Sequence, residues 1–143
     1  MRLVVVTAIA FVFVGCGGGD NAAAPKTLPG TYNLRSLGGH ALPGYIEGEP
    51  GFRFEVAAGA ITLEPDGAFE DTYPWRELND AGETVRSGVA SCGGSWTLAG
   101  HDVTLQMTRT SECDDSGTAV WDGANTLTID WVSFGGTLAV HVR

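Results

Sequence analysis

The sequence predicts an all-β protein, an antiparallel up-and-down meander barrel of about eight to ten short strands. Apolar residues recur with a period of two from residue 30 to residue 143, and no segment there competes with the period of a helix. The chain contains 21 glycines, many in turn-like dipeptides, which favours tight turns over long helices. A two-sheet sandwich is the alternative, and a barrel is favoured because closure removes exposed strand edges.

The alternation can be followed strand by strand. Tyr32 lies in the first alternating strand, and Phe52 and Phe54 lie on the apolar side of a second. Ile61 continues the apolar pattern with the opposite parity, so an extra residue near Gly59 is predicted to form a β-bulge. Later strands are predicted around residues 69–75, 85–89, 96–98, 103–107, 119–121, 127–131 and 138–142. Turn signals separate them at residues 64–67, 79–82, 93–94, 100–101, 122–125 and 135–136.

Residues 1–15 have the pattern of a secretory signal peptide. Arg2 is the only charge before Asp20, and residues 3–14 form an apolar or near-apolar run. As a helix this run would span about 18 Å, which is too short for a hydrocarbon core of about 30 Å.

The end of this segment carries a second signal. Residues 13–16 read Phe-Val-Gly-Cys and resemble the lipobox of bacterial lipoproteins, in which a small residue precedes an obligatory cysteine. The resemblance implies cleavage after Gly15 and lipidation of Cys16, although Phe13 stands where the pattern usually has leucine. An ordinary signal peptide followed by an incidental cysteine is the alternative.

The segment after Cys16 fits a membrane tether. Residues 16–27 lack apolar periodicity and are predicted to be a flexible linker, followed by one domain at residues 28–143. The resemblance implies two or three acyl chains, enough for stable anchoring in the cell envelope. Gly17 does not match the aspartate that retains enterobacterial lipoproteins in the inner membrane. In an organism with an outer membrane, the expected location is therefore its periplasmic face or the cell surface.

The cysteines suggest one disulfide. With Cys16 assigned to lipid, Cys92 and Cys113 remain as a pair in an oxidising compartment. In a meander, the turn at residues 93–94 and the loop after the 103–107 strand lie at the same end, so the two cysteines are predicted to meet at one rim. The loop length gives the bond about 3 kcal/mol. Two free thiols or a metal pair are the alternatives, but no histidine lies near either cysteine.

Composition excludes some partners. The formal net charge is −9, and losing Arg2 would make the mature chain more acidic still. Because no basic stripe is present, nucleic-acid binding is not predicted.

Several segments are similar to bacterial lipocalin-like domains, a family of small exported β-barrels. Residues 30–32 read Gly-Thr-Tyr and residues 42–43 Leu-Pro, like the opening strand and loop of these domains. Residues 61–69 match a Leu-Thr-Leu-x-x-Asp-Gly-x-Phe hairpin, and residues 125–129 resemble a later strand. The resemblance covers residues 28–143 in outline and implies a lipocalin-like barrel. It also implies that Arg143, on the last strand, covers the Tyr32 ring.

No catalytic set is found, so an enzyme is not predicted, and neither a cofactor nor a metal is called for. His40, His101 and His141 are interpreted as solvated, the last on the outward side of its strand. The acidic residues Glu112, Asp114 and Asp115 do not follow the ligand spacing of a calcium loop. Glu70 and Asp71 are adjacent on one strand, so they point to opposite faces.

Two functional hypotheses follow. In the first, a membrane-tethered barrel binds a small apolar ligand in its mouth, lined by Trp75, Trp96 and Trp131, with Asp71 or Tyr73 supplying polarity. Asp71 would then lie at the rim, because burying an unpaired carboxylate is unfavourable. In the second, the barrel is filled by its own aromatic side chains, and its outer face and acidic loops bind a protein of the cell envelope. The acidic surface would suit a basic partner.

Overall fold

The computed structural model describes residues 27–47, 50–108, 116–131 and 137–143. Within these ranges it contains eleven strands and no helix. The strands are β1 (Gly30–Leu37), β2 (His40–Ala41), β3 (Gly44–Glu47), β4 (Phe52–Val56), β5 (Ala60–Leu63), β6 (Ala68–Asn79), β7 (Thr84–Ala99), β8 (Asp102–Met107), β9 (Gly117–Trp121), β10 (Thr126–Trp131) and β11 (Thr137–Val142). The predicted signal peptide and all of the tether except its last residue lie outside the described ranges. None of the described residues forms a helix long and apolar enough to cross a membrane.

The predicted all-β barrel is confirmed. Strands β5 to β11 are antiparallel neighbours in chain order, as a meander requires. Strand β1 closes the barrel because it pairs with β5, where Tyr32 faces Ile61, and with β11, where Leu34 faces His141. Eight strands therefore form the closed barrel.

Strand β2 forms a short hairpin with β1, and β3 and β4 extend the sheet beyond one end of the barrel. Strand β4 pairs with residues 75–79 of β6, and β3 pairs with β4. We call this part the extension: β3, β4, residues 74–79 of β6 and residues 84–89 of β7. Its base lies tightly against β1, since a Cβ on Gly44 would be 2.6 Å from the Leu37 Cβ.

The change in apolar parity before Ile61 has a different cause from the predicted bulge. Residues 57–59 belong to no strand and separate β4, in the extension, from β5, in the barrel. The Gly59 carbonyl accepts a hydrogen bond from the Leu34 amide at 2.9 Å, which holds this link against the barrel. The parity changes because the two strands face different surroundings.

The barrel is filled by its own side chains. The largest fully buried ones are Tyr32, Ile61, Leu63, Leu105, Leu127, Ile129, His141 and Val103. The Tyr32 hydroxyl donates a hydrogen bond to the Leu28 carbonyl at 2.7 Å. Phe69 is buried as predicted, whereas Phe52 is 41% exposed because its strand belongs to the extension.

The predicted contact between the two ends of the domain is confirmed. The Arg143 guanidinium carbon lies 5.7 Å from the centre of the Tyr32 ring. The same guanidinium donates hydrogen bonds to the carbonyls of Thr27, at 2.8 Å, and Pro29, at 2.6 Å. Arg143, which follows β11, therefore holds the segment that precedes β1 against the end of β11.

The predicted turn at residues 93–94 is wrong. Strand β7 runs without interruption through both glycines, so Cys92 lies in the middle of a strand and is buried. Gly94 is required for close approach, since a Cβ there would be 2.1 Å from the Gln106 carbonyl oxygen of β8. Cys113 lies outside the described residues, and its pairing with Cys92 remains a prediction.

Candidate functional site

A cleft lies where the extension meets the barrel. Its apolar walls come from β1, β3, β4 and β11 and consist of Leu34, Leu37, Ile46, Val56 and Ala139. Counting the part that opens to solvent, the cleft encloses about 310 Å³. The centre of a water molecule can occupy only about 20 Å³ of it. Three polar side chains complete the lining: Asp71, Tyr73 and His141.

Asp71 is buried rather than at the rim, where it was predicted. It shares the inward parity of Phe69 on β6 and is only 3% exposed, while the adjacent Glu70 is exposed on the other face, as expected. Its neighbours across the sheet are Ile61 on β5 and Cys92 on β7. Burial raises the pKa of the Asp71 carboxyl to about 7, and a hydrogen bond from the backbone of Thr72 opposes this shift.

His141 also points inward, which corrects its predicted solvated position. It is 2% exposed, whereas Leu138 on the other face of β11 is largely exposed. The register explains this, because His141 faces Leu127 and Ala139 faces Ile129 across β10, and both partners are core residues. Burial lowers the pKa of His141 to about 4, against a smaller effect of the Ala139 carbonyl. Its Nδ1 atom has no hydrogen-bond partner among the described residues.

Asp71 and His141 therefore give the cleft a distinctive chemistry. Burial favours the neutral form of each, and none of the residues lining the cleft is a lysine or arginine. An apolar cleft with a few converging polar groups is the usual form of a small-molecule site. The parity of Asp71 with Phe69 indicates its inward position in the sequence. For His141 no such signal exists within β11, because the larger apolar residues of that strand, Leu138, Val140 and Val142, have the opposite parity.

Of the other residues predicted to bind a ligand, Tyr73 lines this cleft and the described tryptophan side chains do not. Trp75 packs on the extension, with its ring centre 5.6 Å from that of Phe54. Trp96 lies at the opposite end of β6, where its Nε1 donates a hydrogen bond to the Glu64 carbonyl at 3.0 Å. The Trp131 side chain lies outside the described part of the structure. No aromatic-lined cup is formed by the tryptophans that the structure describes.

The other candidate groups lie apart from the cleft. His40 and His101 are exposed, as expected, and the His101 Nδ1 lies 2.7 Å from the Trp121 carbonyl oxygen. The acidic residues Glu112, Asp114 and Asp115 lie outside the described ranges.

The extension is a second distinctive region, and it presents an arginine on each face of its sheet. Arg76 pairs with the shielded carboxylate of Glu55, and its hydrogen bond lowers the pKa of that carboxyl. Arg86 pairs in the same way with Glu77 and lowers the pKa of that carboxyl. These ion pairs shield the carboxylates of Glu55 and Glu77, while Arg76 and Arg86 remain exposed to solvent.

Apolar side chains are exposed on the same part of the molecule. The described residues include seven exposed large hydrophobic side chains, and four belong to the extension: Tyr45, Phe52, Val85 and Val89. The guanidinium carbon of Arg53 lies 4.9 Å from the centre of the Tyr45 ring. Exposed aromatic, aliphatic and arginine side chains thus occur together on the extension.

The chain matches no family model, no curated protein and no solved structure.

Proposed function

We propose that this chain is a lipid-anchored protein of the cell envelope that binds another protein through the extension. The main observation in support is that the extension holds four of the seven large hydrophobic side chains that are exposed among the described residues. Tyr45 and Val89 lie on one face of the extension, and Phe52 lies on the other. Exposed apolar side chains that lie near one another are typical of interaction sites. Arginine and tyrosine, which are enriched among the residues that dominate the binding energy of protein interfaces, occur on the first face as Arg53 and Tyr45.

The packed barrel favours this function over the carriage of a large ligand. Small-molecule sites usually measure about 300–1,000 Å³ and enclose most of the ligand. Here the cleft is open to solvent and leaves only about 20 Å³ for the centre of a water molecule. The barrel therefore supports the extension as a rigid base.

Charge on the extension indicates the kind of partner surface. Arg53, Arg76 and Arg86 present guanidinium groups, while Glu55 and Glu77 are shielded by their ion pairs. The whole chain is nevertheless acidic, with a net charge of −9. A partner surface with an apolar centre and a carboxylate that reaches Arg53 or Arg76 would complement the face of the extension that carries Tyr45.

Photocrosslinking in living cells tests this proposal. A photoreactive phenylalanine analogue replaces Tyr45 or Val89 on the extension, and Val120 or Leu138 on the barrel wall as matched controls. Val89 and Val120 are 61% and 54% exposed, so their access to solvent is similar. We expect one discrete adduct from both extension positions and none from the wall. No adduct from the extension, or the same adducts from all four positions, would contradict the proposal.

The lipid anchor is tested separately. Replacing Cys16 by serine removes the only thiol that the lipobox pattern offers for acylation. We expect the Cys16→Ser chain to lose metabolic labelling with a fatty acid and to leave the membrane fraction. The Gly17→Ala chain, which keeps the cysteine, serves as the control. Labelling that persists in Cys16→Ser would rule out this anchor.

A further inference from the structure

We propose that the cleft binds a primary ammonium group carried on a short apolar body. Asp71 and His141 line the cleft at opposite sides of the barrel closure, on β6 and β11, and both are more than nine-tenths buried. Asp71 offers carboxylate oxygens, and the Nδ1 of His141 has no hydrogen-bond partner among the described residues. An ammonium group has N–H donors for both and accepts no hydrogen bond itself. This site is separate from the proposed protein-binding surface and does not depend on it.

The electrostatic surroundings of Asp71 favour a cation from outside. The groups that face it are Cys92 across β7, Tyr73 on its own strand, His141 on β11 and, one row further, Tyr32 on β1. None of these is a lysine or arginine, so among the described residues that line the cleft His141, whose neutral form is favoured by burial, is the only basic group near Asp71. A buried carboxylate without a countercharge is strongly unfavourable, and a nearby positive charge reverses that penalty. A bound ammonium group would supply the missing charge.

The size of the cleft selects among cations. A cavity holds one water molecule when the centre of that molecule can occupy about 10–15 Å³. In this cleft the corresponding volume is about 20 Å³. A primary ammonium group is close to water in size, whereas a trimethylammonium or guanidinium group is much larger. The apolar body of the ligand would contact Leu37, Ile46 and Val56, which form the walls towards the open side. Without a ligand, the same space suits a water molecule that the ammonium group would displace.

Calorimetric titration of the protein, purified as the cell produces it, tests the chemistry of the head group. The probes are n-butylammonium, n-butanol, n-butyrate and n-butyltrimethylammonium, which share one chain. Near pH 8 we expect n-butylammonium to bind at least about tenfold more tightly than the other three, a difference of one decade in the dissociation constant. Equal binding of n-butylammonium and n-butanol would overturn the proposal, since only the apolar walls would then be recognised.

A variant pair tests the residue. We expect Asp71→Asn to weaken n-butylammonium binding by at least about tenfold. The matched variant Glu70→Gln alters the adjacent exposed carboxylate and should leave the affinity unchanged. A loss of affinity in both variants, or in neither, would contradict the proposal.

The unaltered protein provides a further test that does not depend on how the variants fold. Between pH 8 and pH 5 a butylamine remains charged, because amines of this kind titrate near pH 10. When Asp71 is protonated, binding of the ammonium group must release that proton. Below about pH 7 the affinity should therefore fall by about tenfold for each unit by which the pH is lowered. The released proton is counted by repeating the titration in buffers of different ionisation enthalpy. An affinity that does not change with pH would overturn the assignment.

Discussion

Replacing Asp71 by asparagine is expected to make stability rise with pH between about pH 4 and pH 7, relative to the unaltered protein. The folded-state pKa of Asp71 is about 7, above its ordinary value of 3.8, so the folded protein holds a proton that the unfolded chain has lost. That contribution to stability is fully present below the ordinary value and is lost as the pH rises through the folded value. A shift of this size is worth about 4 kcal/mol. Asparagine does not titrate, so Asp71→Asn escapes this loss.

Replacing His141 by glutamine is expected to give the opposite slope. The folded-state pKa of His141 is about 4, below its ordinary value of 6.5, so the unfolded chain holds the additional proton. Its stabilising contribution is present above the ordinary value and is lost as the pH falls through the folded value, by about 3 kcal/mol in total. Relative to the unaltered protein, His141→Gln should therefore become less stable as the pH rises from about 4 to 6.5.

Urea unfolding at successive pH values checks both expectations. The useful quantity is the difference in unfolding free energy between each variant and the unaltered protein, because the other carboxyls contribute equally to both curves. Difference curves for Asp71→Asn and His141→Gln that slope in the same direction would contradict the burial of one of the two groups.

The opposite slopes have a consequence for the unaltered protein. Between about pH 4 and pH 6.5 the folded chain gains stability from His141 and loses it from Asp71 as the pH rises, so the two effects largely cancel. The pair can therefore remain buried over the acid range without a steep loss of the fold. Moving the proton from Asp71 to His141 would turn two neutral groups into an ion pair without changing the net charge. An incoming ammonium group favours the same ionised form of Asp71, which links this stability effect to the proposed site.

The sequence predicts the barrel well because the pleat imposes a period of two on any strand with one buried face. Tyr32, Ile61 and Leu127 all lie on the inner face where the alternation places them. The pattern fails for β11, because its larger apolar residues, Leu138, Val140 and Val142, face away from the core while Ala139 and His141 face inward. Its register is set by pairing with β10, and no signal within the strand reports that pairing.

The candidate site was predicted in part, and its errors have physical causes. The alternation places Asp71 on the inward side of β6. The rim was nevertheless predicted for it, because burying an unpaired carboxylate is unfavourable. The protein avoids that penalty in another way, because the raised pKa of Asp71 favours the neutral acid. The cleft is also lined by Ile46 of β3, and no alternating pattern in the sequence predicts that strand.

The glycine pair in β7 shows a related ambiguity, since glycine marks either a turn or a close approach of two chains. Gly94 serves the second purpose, and we expect Gly94→Ala to destabilise the protein by about 3 kcal/mol, at the upper end of ordinary overpacking. The added Cβ would lie 2.1 Å from the Gln106 carbonyl oxygen and 2.9 Å from the Met107 Cα, and both are backbone atoms of β8. Neither can move aside by changing rotamer, so β7 and β8 would have to separate.

Gly93→Ala is the matched control, because its Cβ would be 3.3 Å from the nearest atom, the Phe69 carbonyl oxygen. Thermal and urea unfolding of both variants measure the difference, and equal losses of stability would show that close packing against β8 is not what Gly94 provides.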